Sequence, residues 1–132
     1  MPVKHFNHEL LDFLQFASTP FHAVQYLSKL FIQPGFQQLQ EAEKWTPSAG
    51  NVYFCIRDNG SILAFTLAAN QKDSRYWRML AAHTDSPALQ IKPQPEKETH
   101  SYIQLGAEVY GGPILSTWFD RDLGIAGRVT VL

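Results

Sequence analysis

Residues 78–93, RMLAAHTDSPALQIKP, end an apolar run in a histidine and, two residues later, an aspartate. If 76–82 (YWRMLAA) is a strand, side chains two apart share a face, with Cα atoms about 6.5–7 Å apart. His83 and Asp85 then leave together from the C-terminal end of that strand, the edge where open α/β sheets place their sites. One imidazole nitrogen can hold a metal ion while the other donates to a carboxylate that fixes the tautomer and raises basicity. The spacing alone leaves a plainer reading open: an Asp-Ser turn in which His83 is bonded to backbone. Ser86, His83 and Asp85 do not form a nucleophilic triad, because three residues within four positions cannot align as nucleophile, base and orienter.

Other reactive side chains have structural readings. Asp120-Arg121-Asp122 reads as a salt-bridged corner, and His22 as a local packing or capping residue in the first turn of a helix. His5, His8 and His100 lie in polar surroundings and read as solvated, and Trp118-Phe119 as core. The single cysteine, Cys55 in NVYFCI, has no partner for an internal disulfide and reads as a buried reduced thiol.

The elements that must position His83 follow from period and punctuation. Asn7 is placed to cap a helix whose stripe is Leu10, Leu11, Phe13 and Leu14. Ser18-Thr19-Pro20 stops it and starts a second helix, with Thr19 as cap, Pro20 in the first turn and Phe21, Val24, Leu27, Leu30 and Phe31 as its stripe. Pro34-Gly35 ends that helix. NVYFCIRDNGSILAFTLA then reads as a hairpin about Asp58-Asn59-Gly60, because Asn-Gly accepts the positive φ of a tight turn. NQKDSR (70–75) is a polar loop, and the nearly unbroken apolar run 76–82 predicts a third strand buried on both faces. Prolines and charges in 91–101 predict a surface connection or edge, YIQLGAEVYGG (102–112) a further strand, and GRVTVL a strand at the C-terminus. A strand pattern without a following turn or polar tail suggests the front part of a longer protein.

The chain has 132 residues, 45% hydrophobic and 17% charged, with a net charge of −1. That composition describes a folded domain without a basic stripe, which argues against nucleic acid or an anionic membrane as partner. MPVKHFNHELL is too polar for a signal peptide, and no apolar run approaches the roughly 20 residues of a membrane span. With one cysteine, these features suit the cytoplasm.

HTDSPALQIKP, EVYGGPILSTWFDRDLGIAGRV and STPFHAVQYL together resemble the aspartyl aminopeptidase and vacuolar aminopeptidase family of zinc metallopeptidases, in order, from about residue 10 to residue 131. The resemblance implies an exopeptidase that removes N-terminal residues, usually acidic ones, from peptides. It implies two zinc ions per subunit, held in an α/β/α domain interrupted by a β-rich domain that mediates dimerisation and higher assembly. On this basis residues 1–92 are expected to be the N-terminal part of the metallopeptidase domain, and 93–132 the start of the inserted domain, within a homo-oligomer. His83 matches the family's first zinc ligand and Asp85 the aspartate that supports the catalytic site. The bridging aspartate, the adjacent glutamates, a further carboxylate and a final histidine of the family fall downstream of residue 132. The 132 residues alone are therefore expected to be inactive, with a non-catalytic scaffold or assembly fragment as the alternative.

Overall fold

Apolar spacing at three and four residues produces helices at the N-terminus, and alternation then produces strands. The computed structural model describes residues 3–70 and 76–131, with side chains from residue 6. Of the expected polar loop 70–75, all but Asn70 lies outside the described residues. The elements are α1 (Val3–Phe16), α2 (Pro20–Ile32), β1 (Gln37–Leu39), β2 (Val52–Arg57), β3 (Ser61–Thr66), β4 (Ala88–Thr99), β5 (Tyr102–Tyr110) and a 3-10 turn, Leu115–Thr117. The fold is mixed α/β. It comprises two compact units, one of Met1–Asp85 with Ala126–Leu132, the other of Ser86–Ile125. No described helix is long and apolar enough to cross a membrane.

In the first unit, α1 begins at Val3, so Asn7 lies inside the helix and does not cap it. Thr19 does cap α2: its backbone is extended, its hydroxyl accepts from the His22 N–H, and Pro20 occupies the first turn, where a missing N–H costs nothing. α1 meets α2 through Phe13 and Phe16, whose rings lie 5.5 and 5.7 Å from Tyr26. Leu11 and Leu14 remain exposed, so most of the α1 stripe is uncovered.

β2 is the central strand of a three-stranded sheet, parallel to β1 and antiparallel to β3. It is buried on both faces. Phe54 is fully buried and packs on Phe31 of α2, which also supplies the buried Ala23 and Val24. Tyr53 points the other way, towards Phe65, which stacks on Trp45, and the Tyr53 hydroxyl accepts from the Ser48 N–H at 2.8 Å. That bond holds the phenol below its ordinary value of 10.0. The sequence gives no sign of β1, because Gln-Gln-Leu has little strand preference.

The β2–β3 turn forms where expected, but its positive φ angles fall on Asp58 and Asn59, not on Gly60. The Gly60 N–H closes the turn on the Arg57 carbonyl at 3.0 Å. The third strand expected at 76–82 does not form: the segment is irregular, with Tyr76 89% and Leu80 103% exposed. A strand persists only through hydrogen bonds and cover supplied by its neighbours, and no described strand pairs with this one. The strand expected in GRVTVL is likewise irregular through residue 131, for the same reason.

The second unit is a two-stranded antiparallel ladder. Residues 91–101, read from sequence as a connection or edge, belong to β4 and its turn. Pro93 and Pro95 fall where the register shifts between Ile91 and Glu96, a bulge that tolerates residues without an N–H. The turn is His100-Ser101, both at positive φ, as a two-residue hairpin loop requires.

Candidate metal centre

His83 and Asp85 are brought together by a bend, not by the pleat of a strand. The bend begins with Thr84, whose hydroxyl donates to the Gly60 carbonyl in the β2–β3 turn at 2.8 Å. Nδ1 of His83 lies 2.7 Å from the backbone carbonyl of Asp85 and 3.1 Å from its Oδ1. A carbonyl oxygen only accepts, so Nδ1 must carry the proton. The Nε2 lone pair is then the one available to a metal ion. The ring is thus bonded to backbone, as the plainer sequence reading has it, and a carboxylate stands beside the same nitrogen. The His83 side chain is 79% exposed, so no packing holds the imidazole in place.

The donor set suits zinc in kind, since neutral imidazole with a hydrogen-bonded second nitrogen is a zinc ligand. Its number is short of a complete site. A catalytic zinc takes about three protein ligands, and no group of three His, Cys, Asp or Glu side chains that could hold a metal exists among the described residues.

The remaining candidates stay away from this centre. The His22 ring meets the Thr19 hydroxyl at 2.8 Å and the Phe16 ring edge-on, as a local capping residue should. Cys55 is buried and outside any disulfide, and His8 and His100 are exposed; the side chain of His5 lies outside the described residues. The salt-bridged corner at Asp120-Arg121-Asp122 is not formed: none of the three makes an ion pair among the described residues. All three are exposed, where the Coulomb gain of a pair barely offsets the cost of ordering it. Trp118 is half-buried, but Phe119 is 62% exposed and belongs to no core. A cleft of about 280 Å³ is lined by Glu41, Trp45, Cys55, Arg57 and the start of β3. Another of about 360 Å³ is lined by Phe21, His22, Asn59 and Arg128 among others; neither includes His83 or Asp85.

Sequence reasoning missed the Thr84–Gly60 bond. Its partners are far apart in the chain, and no local pattern announces such a contact.

Residues 13–132 match the model of a family described as Aminopeptidase I zinc metalloprotease (M18). A probable M18 family aminopeptidase 2 from Pseudomonas syringae pv. syringae is 49% identical over 94% of this chain, which spans 29% of that relative's length. The structure of Chaetomium thermophilum mApe1 superposes with a TM-score of 0.81 at 35% identity, covering 89% of this chain and 27% of that one. The mApe1 dodecamer of S. cerevesiae gives a TM-score of 0.72 at 28% identity, covering 87% and 27%. With the family model matching nearly the whole chain, this protein belongs to the M18 family of zinc metalloproteases.

Proposed function

We propose that these residues form part of an aminopeptidase in which His83 is a zinc ligand and Asp85 holds that ligand in its metal-binding tautomer. The observation that carries this reading is the His83–Asp85 geometry, with Nδ1–H committed to Asp85 and Nε2 left as the donor. Bound zinc would supply Lewis-acid polarisation of a peptide carbonyl and a more acidic water. The work of this chain is narrower. His83 would donate from Nε2, while Asp85 keeps the proton on Nδ1 and the ring at a fixed angle.

The finer parts of the proposal rest on the family. The substrates are peptides whose N-terminal residue is removed, with acidic residues preferred, and two zinc ions serve each subunit in the cytoplasm. Residues 1–92 would belong to the metallopeptidase domain and 93–132 to an inserted β-rich domain. A homo-oligomer is supported by the dodecamer described for the S. cerevesiae relative. The 132 residues alone would be inactive, because His83 and Asp85 cannot supply a full ligand set and a general base.

The test is His83→Ala in the full-length protein, with zinc content and aminopeptidase turnover measured together. The exposed imidazole contributes little to packing, so the variant should fold, lose most of one zinc equivalent and lose nearly all turnover. Two zinc ions per subunit with normal turnover would overturn the assignment.

A further inference from the structure

We propose that Thr84 is a positioning residue for His83, acting through the Gly60 carbonyl, and that the β2–β3 turn is the platform that fixes where the imidazole stands. This rests on the reading of His83 as a zinc ligand. Within these 132 residues, 76–82, which lead into His83, are irregular and pair with no described strand, so the contacts seen here that restrain the segment come after the ligand. Directly after the ligand, the Thr84 hydroxyl donates at 2.8 Å to Gly60, and both residues are half-buried. With its O–H directed at the Gly60 carbonyl, the hydroxyl acts as an anchor.

The acceptor end is itself restrained. The Gly60 N–H is bonded to the Arg57 carbonyl at 3.0 Å. Nη1 of Arg128 donates to the Asp58 carbonyl at 3.1 Å, and the Arg128 guanidinium lies 4.4 Å from the centre of the Phe21 ring. The turn is therefore held from α2 through Phe21, from residue 128, and by its own closing bond. Asp58 and Asn59 at positive φ complete a turn that the surrounding contacts over-determine. A metal ligand must stand within about 0.5 Å of its productive position. The bond from Thr84 to Gly60, one residue from the imidazole, contributes to that precision.

The experiment uses the full-length protein and measures zinc affinity by competition with a chromogenic chelator, beside turnover and the urea midpoint. Thr84→Val keeps the branched shape and removes the donor; Thr84→Ser keeps the donor and removes the methyl group. Losing a group that orients a ligand typically costs about 10–100-fold in metal affinity. Thr84→Val should bind zinc about 10-fold more weakly than wild type, and Thr84→Ser should restore most of that loss. Thr84→Ala, measured in parallel, should follow Thr84→Val and guards against misfitting of the valine methyl group. Wild-type affinity in Thr84→Val and Thr84→Ala, or equal losses in Thr84→Val and Thr84→Ser, would overturn the proposal. His83→Ala separates the two levels. Should it bind zinc like wild type, the ligand reading itself fails; should it lose zinc while Thr84→Val does not, only the positioning role fails.

Discussion

Two acceptors of Asp85 face one nitrogen of His83, and they do not matter equally. The backbone carbonyl is closer, 2.7 Å against 3.1 Å for Oδ1, and no side-chain substitution removes it. Asp85→Asn should therefore keep the Nδ1–H tautomer and lose only the negative charge beside the ring. In the full-length protein the expected loss of zinc affinity is about 10-fold, the low end of the range for such partners. Chelator competition checks it, and an unchanged affinity would leave Asp85 as a turn residue only. A second residue-scale prediction concerns Glu41, whose carboxyl is held below its ordinary 4.5 by the hydrogen bond from Arg57 and by that residue's charge. The folded-state value is the lower one, so the pair stabilises above pH 4.5 and the effect disappears as pH falls through the depressed value. Both groups are solvent-exposed, so the effect is small. Melting temperatures of wild type and Glu41→Gln should differ slightly at pH 7 and converge as pH falls through the depressed value; a gap that widens in acid would contradict this account.

At the scale of elements, local chemistry made some boundaries legible and long-range pairing hid others. Thr19-Pro20 and the Asp58-Asn59-Gly60 turn are encoded by residues adjacent in the chain, and both form where the sequence places them. Even there, the positive φ angles settle one residue early, on Asp58 and Asn59, the residue types other than glycine that most readily enter that region. Residues 76–82 and 126–131 have the composition of strands but pair with no described strand, and composition cannot supply a partner. β4 was obscured for the opposite reason: its prolines deny a regular strand, yet a bulge accommodates both. The candidate ligand His83 was singled out by the resemblance of its surrounding string more than by its spacing to Asp85, whereas the Thr84 contact could not be read, since the Gly60 carbonyl lies in the β2–β3 turn, far away in the chain. The cap offers a direct test at this scale. Thr19→Ala removes the acceptor for the His22 N–H and should cost about 1 kcal/mol in urea unfolding, with Thr19→Ser recovering most of it. Equal stability of Thr19→Ala and wild type would mean that Pro20 alone fixes the helix start.

For the whole molecule, the decisive quantity is uncovered apolar surface. The 132 residues expose 11790 Å², where a folded monomer of this mass, 15.0 kDa, exposes roughly 7,000 Å². Among the described residues only Ala23, Val24, Tyr53, Phe54 and Cys55 form a buried apolar core, while Trp77, Met79, Leu80, Ile125, Val129 and Val131 are mostly exposed. At about 25 cal/mol per Å² of apolar area, covering even 400 Å² of such surface would contribute roughly 10 kcal/mol before the cost of association. Surfaces of that kind self-associate, and a segment such as 76–82, which pairs with no described strand, adds to the tendency. The 132-residue polypeptide, purified alone with zinc, should sediment as concentration-dependent oligomers or aggregates, and should release no N-terminal Asp, Glu or Leu from peptides. A monodisperse monomer would show that these apolar side chains find cover within the chain. Chelator-sensitive turnover abolished by His83→Ala would be the graver contradiction, because it would require a full ligand set and a general base within these residues, beyond what His83 and Asp85 can provide.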